Sequence, residues 1–297
     1  MPKCRQAEML TSSPWTEASR PKTLSAAVAP VLVGTAAASA FSAWRFVGAL
    51  VVALAVQIGV NYANDYFDGV RGVDTEARVG PRRAVASGLV SPARMRSAML
   101  LAFGVAALAG IALSVVAGWW LVVVGFACFL AALGYSGGSR PYASSGLGEA
   151  FVFVFFGLVA TAGSAYVQDE RFSWLAVVVA VPVGMLAVAI LVANNLRDIE
   201  TDASAGKRTL AVRLGDAGTR RLFVSLVLGP FVFLPVAAAV AGSLWPLIAL
   251  LALVLVLAPA RAAWSGVKGR ALIPVLAGAA RLQISFGLLL AAGLLLA

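Results

Sequence analysis

The 297-residue chain has no histidine, and its only cysteines are Cys4 and Cys128. Histidine is the commonest general base and nitrogen ligand, so any chemistry here runs on carboxylates, amides, hydroxyls and cationic side chains. Two cysteines, one near the N-terminus and one inside a long apolar run, make neither a disulfide framework nor a zinc site. Charge is scarce too: 12% of residues are charged and 61% hydrophobic, too little polar surface to cover a water-soluble globule of this length. An all-α polytopic membrane protein follows.

Uncharged intervals run over 23–44, 46–64, 97–139, 150–168, 172–196, 222–260 and 282–297. A spanning helix takes about 20 apolar residues to cross a hydrocarbon core of about 30 Å. The two longest intervals each hold two helices, broken at Gly118-Trp119-Trp120 and at Gly242-Ser243-Leu244-Trp245-Pro246, so nine spans are expected. The last interval is the shortest, and Arg281 is expected inside the start of its helix. With the N-terminus in the cytoplasm, every lysine and arginine except Arg45 and Arg171 falls on the inner side. That asymmetry is what the positive-inside rule demands. The net charge of +10 is therefore mostly topology; it is spread over membrane-flanking loops, which excludes a nucleic-acid partner. Residues 1–13 are polar, carry no basic-then-apolar signal pattern, and read as a flexible arm ahead of a single transmembrane domain, 14–297.

Of 13 acidic residues, seven crowd into two short stretches: Asp65, Asp68, Asp74 and Glu76, then Asp198, Glu200 and Asp202. Each stretch begins at the inner end of an expected span, the second and the sixth, so both serve one face of the membrane. Asn61, Asp65 and Asp68 stand at i, i+4 and i+7, with Asn64 beside Asp65; Asn194, Asp198 and Asp202 stand at i, i+4 and i+8. Each set forms a polar stripe along one helix face. A single carboxylate at a helix end merely solvates a loop, but two matching stripes of mutually repelling acids beside a bilayer need a cation. Oxygen ligands without nitrogen or sulfur suit Mg²⁺, which takes one or two carboxylates together with phosphate oxygens and water.

The first stretch runs into Arg78, Arg82 and Arg83, and the second into Lys207 and Arg208. Arginine grips phosphate oxygens bidentately and lysine supplies a point charge, so acids and cations together read as a diphosphate site. Arg94, Arg96, Arg220 and Arg221 serve topology alone, and Arg20 and Lys22, just before the first span, suit either purpose. A third inner loop, Tyr135 to Tyr142, is rich in Gly, Pro and aromatic residues, which by themselves only mark turns.

Asn64-Asp65-Tyr66-Phe67-Asp68 resembles the NDxxD signature of the UbiA-type intramembrane prenyltransferases, and Asn194, Asp198 and Asp202 match its second aspartate motif. The six-residue spacing from Asp68 to Asp74, followed by Val79-Gly80-Pro81-Arg82, resembles the branch whose acceptor is 1,4-dihydroxy-2-naphthoate. Arg20-Pro21-Lys22-Thr23-Leu24, Gly146-Leu147-Gly148-Glu149 with the Phe-rich run to Gly157, and Asn194 through Gly215 look like the same branch, so the likeness covers most of the chain from residue 20. Ala143 departs from it, standing where the family has Gly after the Pro-Tyr pair.

The resemblance implies a UbiA-type helical bundle with a polar cavity facing the cytoplasm in the cell membrane. It implies Mg²⁺ on Asp65, Asp68, Asp198 and Asp202, with Asn64 and Asn194 as further oxygen ligands, and Lys207 completing the catalytic set. It implies a polyprenyl diphosphate donor held by Arg82, Arg83, Lys207 and Arg208, and a dihydroxynaphthoate acceptor near Arg20, Lys22 and Asn195, with a demethylmenaquinone as product of menaquinone synthesis. Asp74 could ligate metal, position a cation or cap its loop, and Glu149 reads as a helix-start carboxylate favoured by the helix dipole. Three alternatives remain: a relative acting on a benzoate or haem, a CDP-alcohol phosphotransferase, whose aspartates would all lie in one segment, and an ion-coupled transporter, whose acids would lie nearer the midplane. The matching stripes also suggest an internal four-plus-four helix repeat with a ninth helix appended.

Overall fold

The computed structural model describes residues 13–72, 80, 82–138 and 141–297. Most of the flexible arm, Asp74, Glu76 and Arg78 lie outside the described residues, and so do the roles proposed for them. Ten helices carry the described chain: α1 (Pro14–Ser19), α2 (Ser25–Ala36), α3 (Ala43–Arg71), α4 (Pro92–Ala117), α5 (Trp120–Ser136), α6 (Gly148–Asp169), α7 (Trp174–Ser204), α8 (Leu210–Ala241), α9 (Trp245–Trp264) and α10 (Gly269–Leu295).

Seven of these, α3, α4 and α6 to α10, are long and apolar enough to cross a membrane. The other two expected spans fall on α2 and α5, apolar helices of 12 and 17 residues. Both are shorter than the usual crossing length of about 20 residues, so among the described residues helix length supports seven of the nine expected spans. The last span is longer than its uncharged interval, because α10 starts at Gly269 and runs straight through Arg281, which stays exposed on its outer face. An arginine on the exposed side of a helix can reach toward the interface with its apolar stem still in lipid.

Both expected hairpin breaks are present. Gly118, at φ 124°, ends α4, and Gly242, at φ 66°, ends α8, backbone conformations that only glycine adopts at little cost. The turns on this side of the bundle carry Trp44, Trp119, Trp120, Trp174 and Trp245, all exposed, as expected of an aromatic belt at a membrane interface. The same side accounts for Arg45, one of the two arginines expected on the outer side. Its guanidinium pairs with Glu170 at 2.6 Å and donates to the Val167 carbonyl at 2.8 Å, while Asp169 accepts from the Ser39 and Ala40 amides at 2.8 Å each. These contacts clasp the α2–α3 turn to the end of α6.

In α7 and α10 the most apolar stretches are 67% and 61% buried, against 28–39% for the other long helices, so these two form the centre of the bundle. Leu186, Phe286, Leu282 and Phe223 are sealed in this core. Helix α6 meets α7 where Gly157 lies against Gly184; a Cβ on Gly157 would stand 2.6 Å from the Gly184 Cα. Around that crossing, Phe153–Val159 winds as a π-helix, a local widening that often accompanies functional sites.

Candidate active site

Helices α3 and α7 face one another across a cavity of about 960 Å³ that both of them line. This is the meeting of the second and sixth spans expected from the two stripes. The cavity follows α3 from Asn64 down to Ala49, roughly 22 Å at the 1.5 Å rise of an α-helix. Below Asn61 its walls are mainly Val, Ala, Leu and Phe side chains, with Gln57 the polar residue on the α3 face; at the opposite end stand Arg20, Lys22, Arg82, Arg197 and Arg270, with Glu17 beside them. One end thus suits an anion and the remainder an apolar chain.

Helix α3 continues unbroken through both aspartates of the first motif and stops at Gly72, φ 65°. On a helix of 100° per residue, Gln57, Asn61, Asn64 and Asp68 share a face, and the first three line the cavity. Asp65 was grouped with that stripe, yet it points sideways. It is 1% exposed, and its two oxygens accept the Ala84 and Val85 amides at 3.0 and 2.8 Å. Those two hydrogen bonds tie it to the loop that carries Arg82 and Arg83. Asn61 also acts as a tie, donating to the Ser19 carbonyl at 2.8 Å. That bond fixes α1 against α3 and sets Arg20, in the left-handed region at φ 53°, at the cavity mouth.

The remaining charges interlock. Asp68 accepts from Arg83 at 3.1 Å and lies 3.7 Å from the Lys207 ammonium, which is 4.0 Å from Asp202. One ammonium therefore stands between carboxylates of the two motifs. Deeper in α7, the Arg197 guanidinium donates to both oxygens of Asp198, at 2.8 and 2.6 Å, and to the Asn194 side-chain oxygen at 2.7 Å. Asn64 accepts from the Ser136 hydroxyl, and Arg71 donates to the Ser136 carbonyl at 2.7 Å, locking α5 to α3.

Two of the expected residues sit elsewhere. Asn195 turns away from the cavity and donates to Glu149 at 2.9 Å; it directly follows Asn194 in the chain, and 100° of helix separates their directions. The Arg208 side chain is exposed, while its backbone amide donates to the Ser144 carbonyl at 2.8 Å, joining the loop after α7 to the third inner loop. In that loop the Tyr142 phenol donates to the Ala131 carbonyl, and burial followed by the neighbouring Tyr135 pushes it well above the usual range of a tyrosine. Arg197 and Arg270 went unassigned in the sequence. A signal existed for Arg197, which breaks a long uncharged interval one residue before an aspartate; nothing in the sequence singles out Arg270.

Among the described residues, no three carboxylates converge into a ready-made metal cage. The donors present are nonetheless hard oxygens already gathered about positive charge: Asp68 and Asp202 on an ammonium, Asp198 and Asn194 on a guanidinium. Mg²⁺ needs only one or two protein carboxylates when phosphate completes its shell, so this donor set fits it.

The model of the UbiA prenyltransferase family matches residues 27–272. The chain belongs to that family. Two relatives named 1,4-dihydroxy-2-naphthoate octaprenyltransferase share 47% identity over 90% of this chain and 92% of the Mycobacterium tuberculosis protein, and 39% over 74% of both chains for the Escherichia coli protein. Among solved structures, a UbiA homolog from Archaeoglobus fulgidus bound to GPP and Mg²⁺ superposes with a TM-score of 0.67 at 15% identity. It covers 94% of this chain and 99% of its own. The apo UbiA homolog from Aeropyrum pernix K1 gives 0.68 at 14% identity, over 93% and 97%. At such identities the likeness is one of fold: the chain is a multi-pass, all-helical member of the UbiA prenyltransferase family.

Proposed function

We propose that this membrane enzyme transfers a polyprenyl group from polyprenyl diphosphate to 1,4-dihydroxy-2-naphthoate, releasing diphosphate and CO₂ and forming a demethylmenaquinol, the hydroquinone form of demethylmenaquinone. The observation that carries the reading is a single cavity that is cationic and rich in oxygen donors at one end and apolar along the rest of α3, in a chain 47% identical to a naphthoate octaprenyltransferase.

Asn64, Asp68, Asn194, Asp198 and Asp202 would hold Mg²⁺, with Asp65 serving as the anchor of the Arg82–Arg83 loop. Mg²⁺, when bound, neutralises charge on the diphosphate oxygens as the leaving group departs. Arg82, Arg83 and Lys207 stabilise the same charge as it grows, which lowers the transition state more than the ground state. The bond between the allylic carbon and oxygen breaks with its electron pair going to diphosphate. The naphthoate ring carbon that bears the carboxylate supplies the pair for the new carbon–carbon bond. Loss of CO₂ returns an electron pair to the ring and restores its aromaticity.

The apolar wall below Asn61 keeps water from the allylic centre and takes the polyprenyl tail. Arg20 and Lys22, at the cationic mouth, attract the acceptor carboxylate; Asn195, bound to Glu149, is released from that role. Residues 206–209 and the mouth face the cytoplasm of the cell membrane in this reading.

The test is mass spectrometry of products from membranes given dihydroxynaphthoate, a polyprenyl diphosphate and Mg²⁺. A prenylated, decarboxylated product is expected, and its loss on substituting Asp68→Ala or Asp202→Ala in protein that still inserts. Prenylation of a hydroxybenzoate in place of the naphthoate would move the assignment to another acceptor class.

A further inference from the structure

Two side-chain cations occupy the oxygens that the preceding reading gives to a metal. Arg197 takes both Asp198 oxygens and the Asn194 oxygen within 2.8 Å, and its side chain is only 4% exposed. Lys207 lies within 4.0 Å of Asp68 and Asp202. With Arg83 on Asp68, these contacts set three carboxylates among three cations in a largely buried part of the site. A divalent ion entering alone would have to displace Arg197 or Lys207 and leave a surplus of positive charge where desolvation makes it costly. A diphosphate alone would find these cations already bound to carboxylates. Entering together, the ion takes the oxygens and the phosphates take the released cations. Arg197 lines the cavity, so a guanidinium released from Asp198 stays on the wall that a phosphate would meet.

We infer that Arg197 and Lys207 are exchangeable counter-ions: they compete with the divalent ion for the same oxygens and transfer to phosphate when ion and donor arrive together. Arg197 thereby becomes a diphosphate-binding residue, and metal and diphosphate each bind weakly alone and tightly in the presence of the other. The inference rests on the metal-diphosphate reading of the site.

The experiment uses full-length protein in detergent, with Mg²⁺ alone, inorganic diphosphate alone, and both. Thermal unfolding and calorimetry are the readouts, and free concentrations are corrected for the complex that the two form in solution. Each ligand should raise the affinity of the other by at least about tenfold, equally in both directions. Arg197→Gln and Lys207→Gln should each bind Mg²⁺ alone at least about tenfold more tightly than the parent chain, because an unpaired carboxylate now faces the ion, and should lose most of the coupling. Arg197→Lys should restore part of it. Mg²⁺ binding as tightly without diphosphate as with it, or both glutamine variants binding Mg²⁺ like the parent, would overturn the exchange while leaving the site intact. No stabilisation by any combination would overturn the site itself. If Arg197→Gln does not fold, the coupling in the parent chain and the Lys207→Gln variant decide the question.

Discussion

At the scale of single residues, Asp65 and Asp68 show how far a motif can be read. Residue type and spacing select both as acidic, and only helical phase with the position of a later loop tells them apart. Asp68 shares a helix face with the cavity-lining Asn64, whereas Asp65 is spent on the Ala84 and Val85 amides. Substituting Asp65→Asn replaces one accepting oxygen with a donor and sets it against a buried amide, at about 1–3 kcal/mol for a buried donor left unsatisfied. The expected result is a lower melting temperature and a raised KM for the donor, through the displaced Arg82–Arg83 loop, with Mg²⁺ affinity in the presence of diphosphate nearly unchanged. Asp68→Asn should instead weaken Mg²⁺ binding, and any loss of stability comes from the missing negative charge beside Arg83 and Lys207. Thermal unfolding and Mg²⁺ titration of the two variants separate an anchor from a ligand; equal loss of Mg²⁺ affinity in both would return Asp65 to the ligand set. Asn194 and Asn195 carry the same lesson, since adjacent amides of one type serve a cavity wall and a buried Glu149.

Secondary elements were more legible, because apolar runs of spanning length and Gly-Trp breaks carry their own physical cause. Helix α3, the α4–α5 break at Gly118 and the α8–α9 break at Gly242 lie where hydropathy and turn residues place them. What the runs could not convey is helix length at α2 and α5, or the early start of α10, since an interval bounded by charges does not fix where winding begins. Nor could they convey the π-helical turn at Phe153–Val159, which depends on packing against α7 and not on composition. That packing yields a prediction. A Cβ at Gly157 would meet Gly184 backbone at 2.6 Å, so no side-chain rotation relieves it. Gly157→Val should push α6 from α7 and cost about 1–3 kcal/mol by overpacking. It should also disturb the cavity wall formed by Phe155 and Phe156, lowering kcat/KM for the donor together with the melting temperature. Gly104→Ala on α4, exposed, outside the cavity lining and with nothing within 4 Å of a Cβ, is the control and should change neither.

For the whole molecule, orientation decides which compartment supplies Mg²⁺ and both anionic substrates, and the two faces of the bundle differ in ways that predict it. One face carries the exposed tryptophans and the Arg45–Glu170 clasp; the other carries the cationic cavity mouth and most of the lysine and arginine. Basic residues are retained on the cytoplasmic side during insertion, so the mouth should face inward. Cysteine scarcity makes this testable: after replacing Cys4 and Cys128, single cysteines can be placed at Ser243, in the α8–α9 turn beside Trp245, and at Ser265, just past α9 on the opposite face. Both positions are exposed or half-exposed loop residues in which a small hydroxyl becomes a thiol of similar size. In intact cells a membrane-impermeant maleimide should label the Ser243→Cys thiol and spare the Ser265→Cys thiol, and permeabilisation should expose the second. The reverse pattern would put the phosphate-binding end outside the cell. A cytoplasmic donor could then reach Asp68 and Asp202 only by crossing the bilayer with its charged head, a transfer that the hydrocarbon core opposes.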